Sequence, residues 1–135
     1  MQAVLADTGP LYAAIDHDDA HHRRAQIELK RLARSGKEVL LAYPTLCEAY
    51  TLVLYRLGKA AAHSWLSDVR SGASLINPTV EDYREGSTKL ASFRDQPITL
   101  FDATLAALGA RLKVEIWTYD HHFDLMRCAV WRGAM

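Results

Sequence analysis

The stretch that decides the fold is Gln2-Ala3-Val4-Leu5-Ala6-Asp7-Thr8-Gly9-Pro10-Leu11-Tyr12-Ala13-Ala14-Ile15. Its first residues, Gln2 to Ala6, are a short apolar run, Asp7 to Pro10 is a turn signal, and from Leu11 to Ile15 the spacing becomes helical. Strand, turn and helix in that order recur downstream. Val39-Leu40-Leu41-Ala42 is apolar throughout, as a strand covered on both faces must be. Tyr43-Pro44 then opens a helix to about Leu57, because proline at a first helical position forfeits no hydrogen bond. Gly58 breaks that helix, and another runs from Lys59 to Val69. Ala73 to Ile76 is a third strand, and Thr79-Val80-Glu81-Asp82 is a capping box opening a helix to about Phe93. A helix from Asp102 to Leu112 precedes strands at Val114 to Thr118 and Cys128 to Trp131, with a short helical turn from Phe123 to Met126 between them. Asp19 to Arg34 has the sparse apolar positions of an exposed amphipathic helix, stopped by Ser35-Gly36.

Strands separated by helices imply parallel pairing through right-handed crossovers. The expected fold is therefore α/β, a three-layer α/β/α sandwich around a central parallel sheet of about five strands. The chain has 135 residues, which is room for a single domain spanning 1–135. Half the residues are hydrophobic and 24% are charged, which excludes a disordered or low-complexity chain. Lys and Arg number 16 against 16 Asp and Glu, so the net charge is zero and a bulk polycationic coat is excluded. The distribution of charge carries the information instead. No apolar run approaches a membrane span and no basic leader precedes one, so a cytoplasmic protein without membrane contact is expected. Cys47 and Cys128 lie in apolar surroundings without a CxxC or zinc spacing, and read as reduced core residues.

Three carboxylates stand alone in long uncharged stretches: Asp7 within 1–15, Glu48 within 39–55 and Asp102 within 96–110. Acids so isolated read as carried on buried elements, where an unpaired carboxylate protonates, pairs or binds a cation. Asp120 joins them directly after the fourth strand. Ligands of open parallel sheets sit beyond the carboxyl ends of the strands, near the point where strand order reverses. Ends of the first and fourth strands would bring Asp7 and Asp120 side by side, with Glu48 and Asp102 reaching them from helices. No Lys or Arg lies within seven residues of Asp7, Glu48 or Asp102. Oxygen-only donors in that number favour Mg²⁺ or Mn²⁺ over zinc, and such ions serve phosphodiester hydrolysis. Taken singly, Asp7 and Asp102 also read as helix N-caps and Asp120 as a turn residue. The set of four, in this order and on these elements, is the specific signal.

With those residues in view, the chain resembles the PIN-domain ribonucleases, and particularly the VapC-type toxins of toxin–antitoxin pairs. Val4-Leu5-Ala6-Asp7-Thr8-Gly9 matches the first acidic motif of that family, Pro44-Thr45-Leu46-Cys47-Glu48 the second, Leu100-Phe101-Asp102-Ala103-Thr104-Leu105-Ala106-Ala107 the third, and Thr118-Tyr119-Asp120 with Phe123 the fourth. The resemblance implies an endoribonuclease dependent on Mg²⁺ or Mn²⁺, with Asp7, Glu48, Asp102 and Asp120 as catalytic metal ligands. It also implies structured RNA such as tRNA or rRNA as substrate, a small cognate antitoxin as partner, and a homodimer. Tyr119 departs from the family pattern, and the paired histidines after Asp120 do as well. The alternatives are a housekeeping RNA-processing nuclease and a non-catalytic PIN-like module that binds RNA or protein.

Other residues acquire roles around these. Thr8 and Thr118 adjoin proposed ligands, and their hydroxyls are placed to hold a water, a phosphate oxygen or a strand end. His121 stands beside the fourth acid, where proton transfer or phosphate binding is open to it. The segment from His21 to Lys37 carries Arg23, Arg24, Lys30, Arg31, Arg34 and Lys37 against Glu28 alone. Arg23, Arg24 and Arg31 are candidates for RNA phosphate contact, with Arg111 and Arg127 as further ones, although such faces are often simply solvated. The triplet Asp7-Thr8-Gly9 also occurs in aspartic proteases, but these need β-rich lobes and here a helix follows. A haloacid-dehalogenase phosphatase would need a second Asp where Gly9 stands, and no P-loop or GxGxxG pattern is present.

Overall fold

The apolar run at the head of the chain becomes the middle of the sheet. The computed structural model describes residues 2–133. The elements are β1 (Ala3–Ala6), α1 (Thr8–Ala13), α2 (His22–Ser35), β2 (Glu38–Ala42), α3 (Tyr43–Leu57), α4 (Lys59–Gly72), β3 (Ser74–Ile76), α5 (Val80–Ala91), α6 (Leu100–Leu112), β4 (Glu115–Trp117), α7 (His122–Leu125) and β5 (Val130–Trp131). All strand pairs are parallel, in the order β3-β2-β1-β4-β5. The expected α/β/α sandwich forms, and strand order reverses between β1 and β4. Among the described residues no helix is long and apolar enough to cross a membrane.

The pleat of β1 assigns the layers, because successive side chains point to opposite faces. Ala3 and Leu5 pack with Leu105 and Leu108 of α6 and Phe123 of α7. Val4 and Ala6 pack with Leu11 and Tyr12 of α1, Leu32 of α2, Val53 of α3 and Trp65 of α4. The first four helices therefore cover one face and the last three the other. Between α5 and α6 the backbones approach closely: a Cβ at Gly86 would lie 2.8 Å from the Thr104 backbone nitrogen. Only glycine fits there without moving a helix.

Three helix starts differ from the periodicity reading by two residues or more, each for a local reason. The first helix starts at Thr8 rather than Leu11, since the first-turn N–H groups have no intrahelical partner and Pro10 loses nothing by lacking one. The second starts at His22 rather than Asp19. Asp16 and Asp19 accept backbone N–H bonds from residues two positions on, which holds the chain in turns before the helix begins. The sixth helix starts at Leu100 with Thr99 as its cap, so Asp102 occupies the first turn and not the cap. Arg111, read as a phosphate contact, is instead committed to structure. Its Nε and Nη2 donate to the two oxygens of Asp82 at 2.8 and 2.9 Å, tying α6 to the capping box of α5.

Candidate active site

The end of β1 and the end of β4 are joined by one backbone bond, Asp7 N–H to the Trp117 carbonyl at 2.9 Å. That bond sets Asp7 beside Thr118, whose hydroxyl donates to Asp7 Oδ2 at 2.8 Å. The same hydroxyl accepts the Asp120 N–H at 3.0 Å, so one threonine spaces two acids. Asp120 is oriented in turn by His122, whose backbone N–H lies 2.9 Å and ring Nδ1 3.0 Å from Oδ1. From the neighbouring helices come the other two acids. Thr8 Oγ1 donates to Glu48 Oε1 at 2.5 Å across the gap between α1 and α3. Asp102 is placed by the Thr99 hydroxyl, which accepts its backbone N–H at 3.0 Å.

All four carboxylates line one cleft of about 400 Å³, with Thr8, Gly9, Thr99 and Tyr119 completing its wall. No lysine or arginine lines it among the described residues. Asp7 is only 7% exposed, and burial pushes its carboxyl up to about 6, with the charges of Asp102 and Glu48 adding to the rise. Bonds from Thr118 and from the Thr8 backbone oppose that shift. Asp102 is raised for the same reasons, burial first and then the Asp120 and Glu48 charges. The acids ring the cleft and do not crowd one point: among the described residues the sole trio of such donors within 4.8 Å of one another is Asp120, His121 and His122. Oxygen donors without a counter-charge fit Mg²⁺ or Mn²⁺, since Mg²⁺ in particular binds through one or two carboxylates and keeps several waters.

The sequence reading placed Asp7, Glu48, Asp102, Asp120, Thr8 and Thr118 together, and the structure brings them together. Glu48 is exposed, not buried, and Cys47 beside it is exposed too, contrary to expectation; Cys128 is half-buried. The buried stripe of α3 is Thr45, Ala49 and Val53, and positions 47 and 48 fall off it. The apolar residues around Glu48 line an open groove instead, with Leu52, Tyr55 and Arg56 beside Glu48 and Thr8. His121 is 75% exposed at the rim, its Nδ1 3.9 Å from Asp120. Arg23, Arg24 and Arg31 do not line this cleft; they line a separate one with Arg132. The sequence reading missed Glu28, which is 3% exposed and accepts from Trp117 Nε1 at 3.0 Å and from the Tyr119 hydroxyl at 2.5 Å. A signal was available: Ala25, Glu28 and Leu32 fall on one helical stripe.

The chain that builds this parallel sheet and cleft is placed in a family by its sequence. The family model described as PIN domain matches residues 4–127, and the chain belongs to that family. No curated protein matches by sequence. Among solved structures, the chain is similar to VapC20 of Mycobacterium tuberculosis, described as a sarcin–ricin loop cleaving toxin, with TM-score 0.81 and 22% identity over 96% of this chain and 99% of that one. VapBC2 from Rickettsia felis, solved bound to a DNA fragment from its promoter, gives TM-score 0.74 at 17% identity, covering 97% and 98%. FitAcB from Neisseria gonorrhoeae gives 0.69 at 16%, covering 96% and 97%. At these identities the likeness is one of fold.

Proposed function

We propose that this protein is an endoribonuclease that hydrolyses phosphodiester bonds in structured RNA, and that it is the toxin of a toxin–antitoxin pair. The observation that carries the reading is the convergence of Asp7, Glu48, Asp102 and Asp120, from four separate segments, on one cleft without a cationic lining residue. These four would hold Mg²⁺ or Mn²⁺. Such an ion, when bound, supplies Lewis-acid stabilisation of phosphoryl charge and a nucleophile at neutral pH. The chain itself supplies placement. Thr118 holds one oxygen of Asp7, Thr8 holds one oxygen of Glu48, and the His122 backbone turns Asp120 toward the cleft wall. Ligand orientation by such hydrogen bonds is what fixes a metal site's geometry.

Similarity to a toxin that cleaves the sarcin–ricin loop supports structured RNA, of the ribosomal or transfer type, as the substrate class. The exposed groove of Cys47, Leu52 and Tyr55, with Tyr55 82% exposed, supports a protein partner docked beside the acids, which in this reading is the small antitoxin. The test is cleavage of folded tRNA and rRNA fragments in Mn²⁺, with and without EDTA, by wild type and Asp7→Asn. Cleavage that EDTA and Asp7→Asn each abolish is the expected result. Binding without cleavage by the wild type would put the non-catalytic module in its place. Growth arrest on induction, relieved by the product of an adjacent small gene, tests the toxin role.

A further inference from the structure

Tyr119 and Glu28 form a partition between two clefts of opposite charge. On one side Tyr119 lines the acidic cleft. On the other is a cleft of about 430 Å³ lined by Arg23, Arg24, Ile27, Glu28, Arg31 and Arg132. The two are joined through side chains: the Tyr119 hydroxyl donates to Glu28 Oε1, Arg24 Nε donates to Glu28 Oε2 at 3.3 Å, and the Arg24 guanidinium carbon lies 4.2 Å from the centre of the Tyr119 ring. Trp117, the last residue of β4, donates to Glu28 as well. Both residues flanking Thr118, the threonine that holds Asp7, are therefore anchored to one buried carboxylate on α2.

The Glu28 charge is directed inward at these donors, while the four arginines are exposed. Arg31 donates to the Gly133 carbonyl at 2.8 Å and Arg132 pairs with Asp124. Arg23 has no ion-pair partner among the described residues. A ring of acids repels a polyanion, so affinity for RNA has to be built from cations nearby. Guanidinium forks match phosphate oxygens two at a time, and Arg24 is held in place by both a carboxylate and an aromatic face.

We infer that the arginine cleft is a second phosphate subsite, holding backbone phosphates of the RNA strand next to the one presented to the acids, with the strand passing over Tyr119. This rests on the endoribonuclease reading. A strand with phosphates at regular intervals can set one beside the acids, once a cation offsets their charge, while its neighbours reach the arginines.

The experiment uses the full chain in EDTA, so that nothing is cleaved, and follows a labelled single-stranded RNA by fluorescence anisotropy at several salt concentrations. Arg23→Ala/Arg24→Ala is expected to bind about tenfold more weakly, with a slope of log K against log salt shallower by about 1.4, near 0.7 for each phosphate that the protein no longer neutralises. Arg23→Ala alone, which breaks no ion pair, is expected to give about half that change in slope. In Mn²⁺ the loss from the double variant falls on KM. A folded double variant that binds RNA with wild-type affinity and salt slope overturns the subsite and leaves the face to a protein partner. A wild type that cleaves no RNA, paired with a double variant that loses RNA binding, sinks the nuclease reading and keeps the subsite. Cleavage by the wild type with unchanged binding by the double variant does the reverse.

Discussion

Asp7 and Asp82 are both aspartates at helix beginnings, and both are buried, at 7% and 2% exposure. Their carboxyls nonetheless move in opposite directions. Asp82 receives a two-pronged Arg111 and the Thr79 backbone N–H, and the Arg111 bonds hold it below the usual carboxylate range. Asp7 has no cation among its partners and faces Asp102 and Glu48 as well, so burial pushes it up to about 6. Both side chains are shielded from solvent, but Asp7 lies deeper, so desolvation prevails there, whereas the Arg111 bonds prevail at Asp82. An acid paired with a cation by the fold is structural, and a buried acid without a cationic partner is a candidate for function.

The comparison breaks most sharply at Asp7. Asp7→Asn is expected to lower RNA cleavage by roughly a hundredfold to a thousandfold, the scale of losing preorganised charge at a reacting centre. The same variant should raise the thermal midpoint of the metal-free protein, because an uncompensated charge is removed. A lowered midpoint would contradict the account of Asp7. Asp82→Ala should do the opposite, lowering stability by about 2–4 kcal/mol through loss of the charged bonds and the cap, as chemical denaturation would read. Activity per folded molecule should survive it.

Acidification separates the two next. The folded-state value of Asp7 lies above its unfolded value of 3.8, so its ionisation costs metal-free stability that is fully felt above pH 6 and relieved as pH falls from 6 to 4. The relief is about 3 kcal/mol at most and should vanish in Asp7→Asn, which denaturation in EDTA at pH 7 and pH 4.5 can measure. For Asp82 the folded value is depressed, so its stabilisation is present above the unfolded value and is lost only as pH falls further, through the folded one. Least in size is Thr118→Val. Removing the hydroxyl that holds Asp7 Oδ2 should weaken Mn²⁺ binding by about tenfold in calorimetry, the lower end for a residue that orients a ligand. Unchanged affinity would mean that Asp7 is positioned by its backbone alone.

Much of this was legible along the chain because the relevant signals are local. Alternating strands and helices specified a parallel sandwich, and the uncharged stretches around Asp7, Glu48 and Asp102 marked the acids. What the local signal misjudged was which side of a helix faces the core. Glu48 and Cys47 sit among apolar neighbours and are exposed, whereas Glu28 sits among arginines and is buried. In each case the residue's position on the buried stripe, not the composition around it, set its burial. Arg111 was misread for a related reason: its partner Asp82 is 29 positions away and visible only once α5 and α6 pack.

By itself, then, the sequence determined the elements, their parallel sheet and the four acids, since hydrophobic period and isolated charge are read residue by residue. Only the tertiary structure decided which charges meet. It set Thr118 between Asp7 and Asp120, gave Asp82 its arginine, and put Glu28 under Tyr119. The physical reason is that charges in a folded chain act across distances of a few ångströms, and residues 29 to 111 positions apart come that close only through packing.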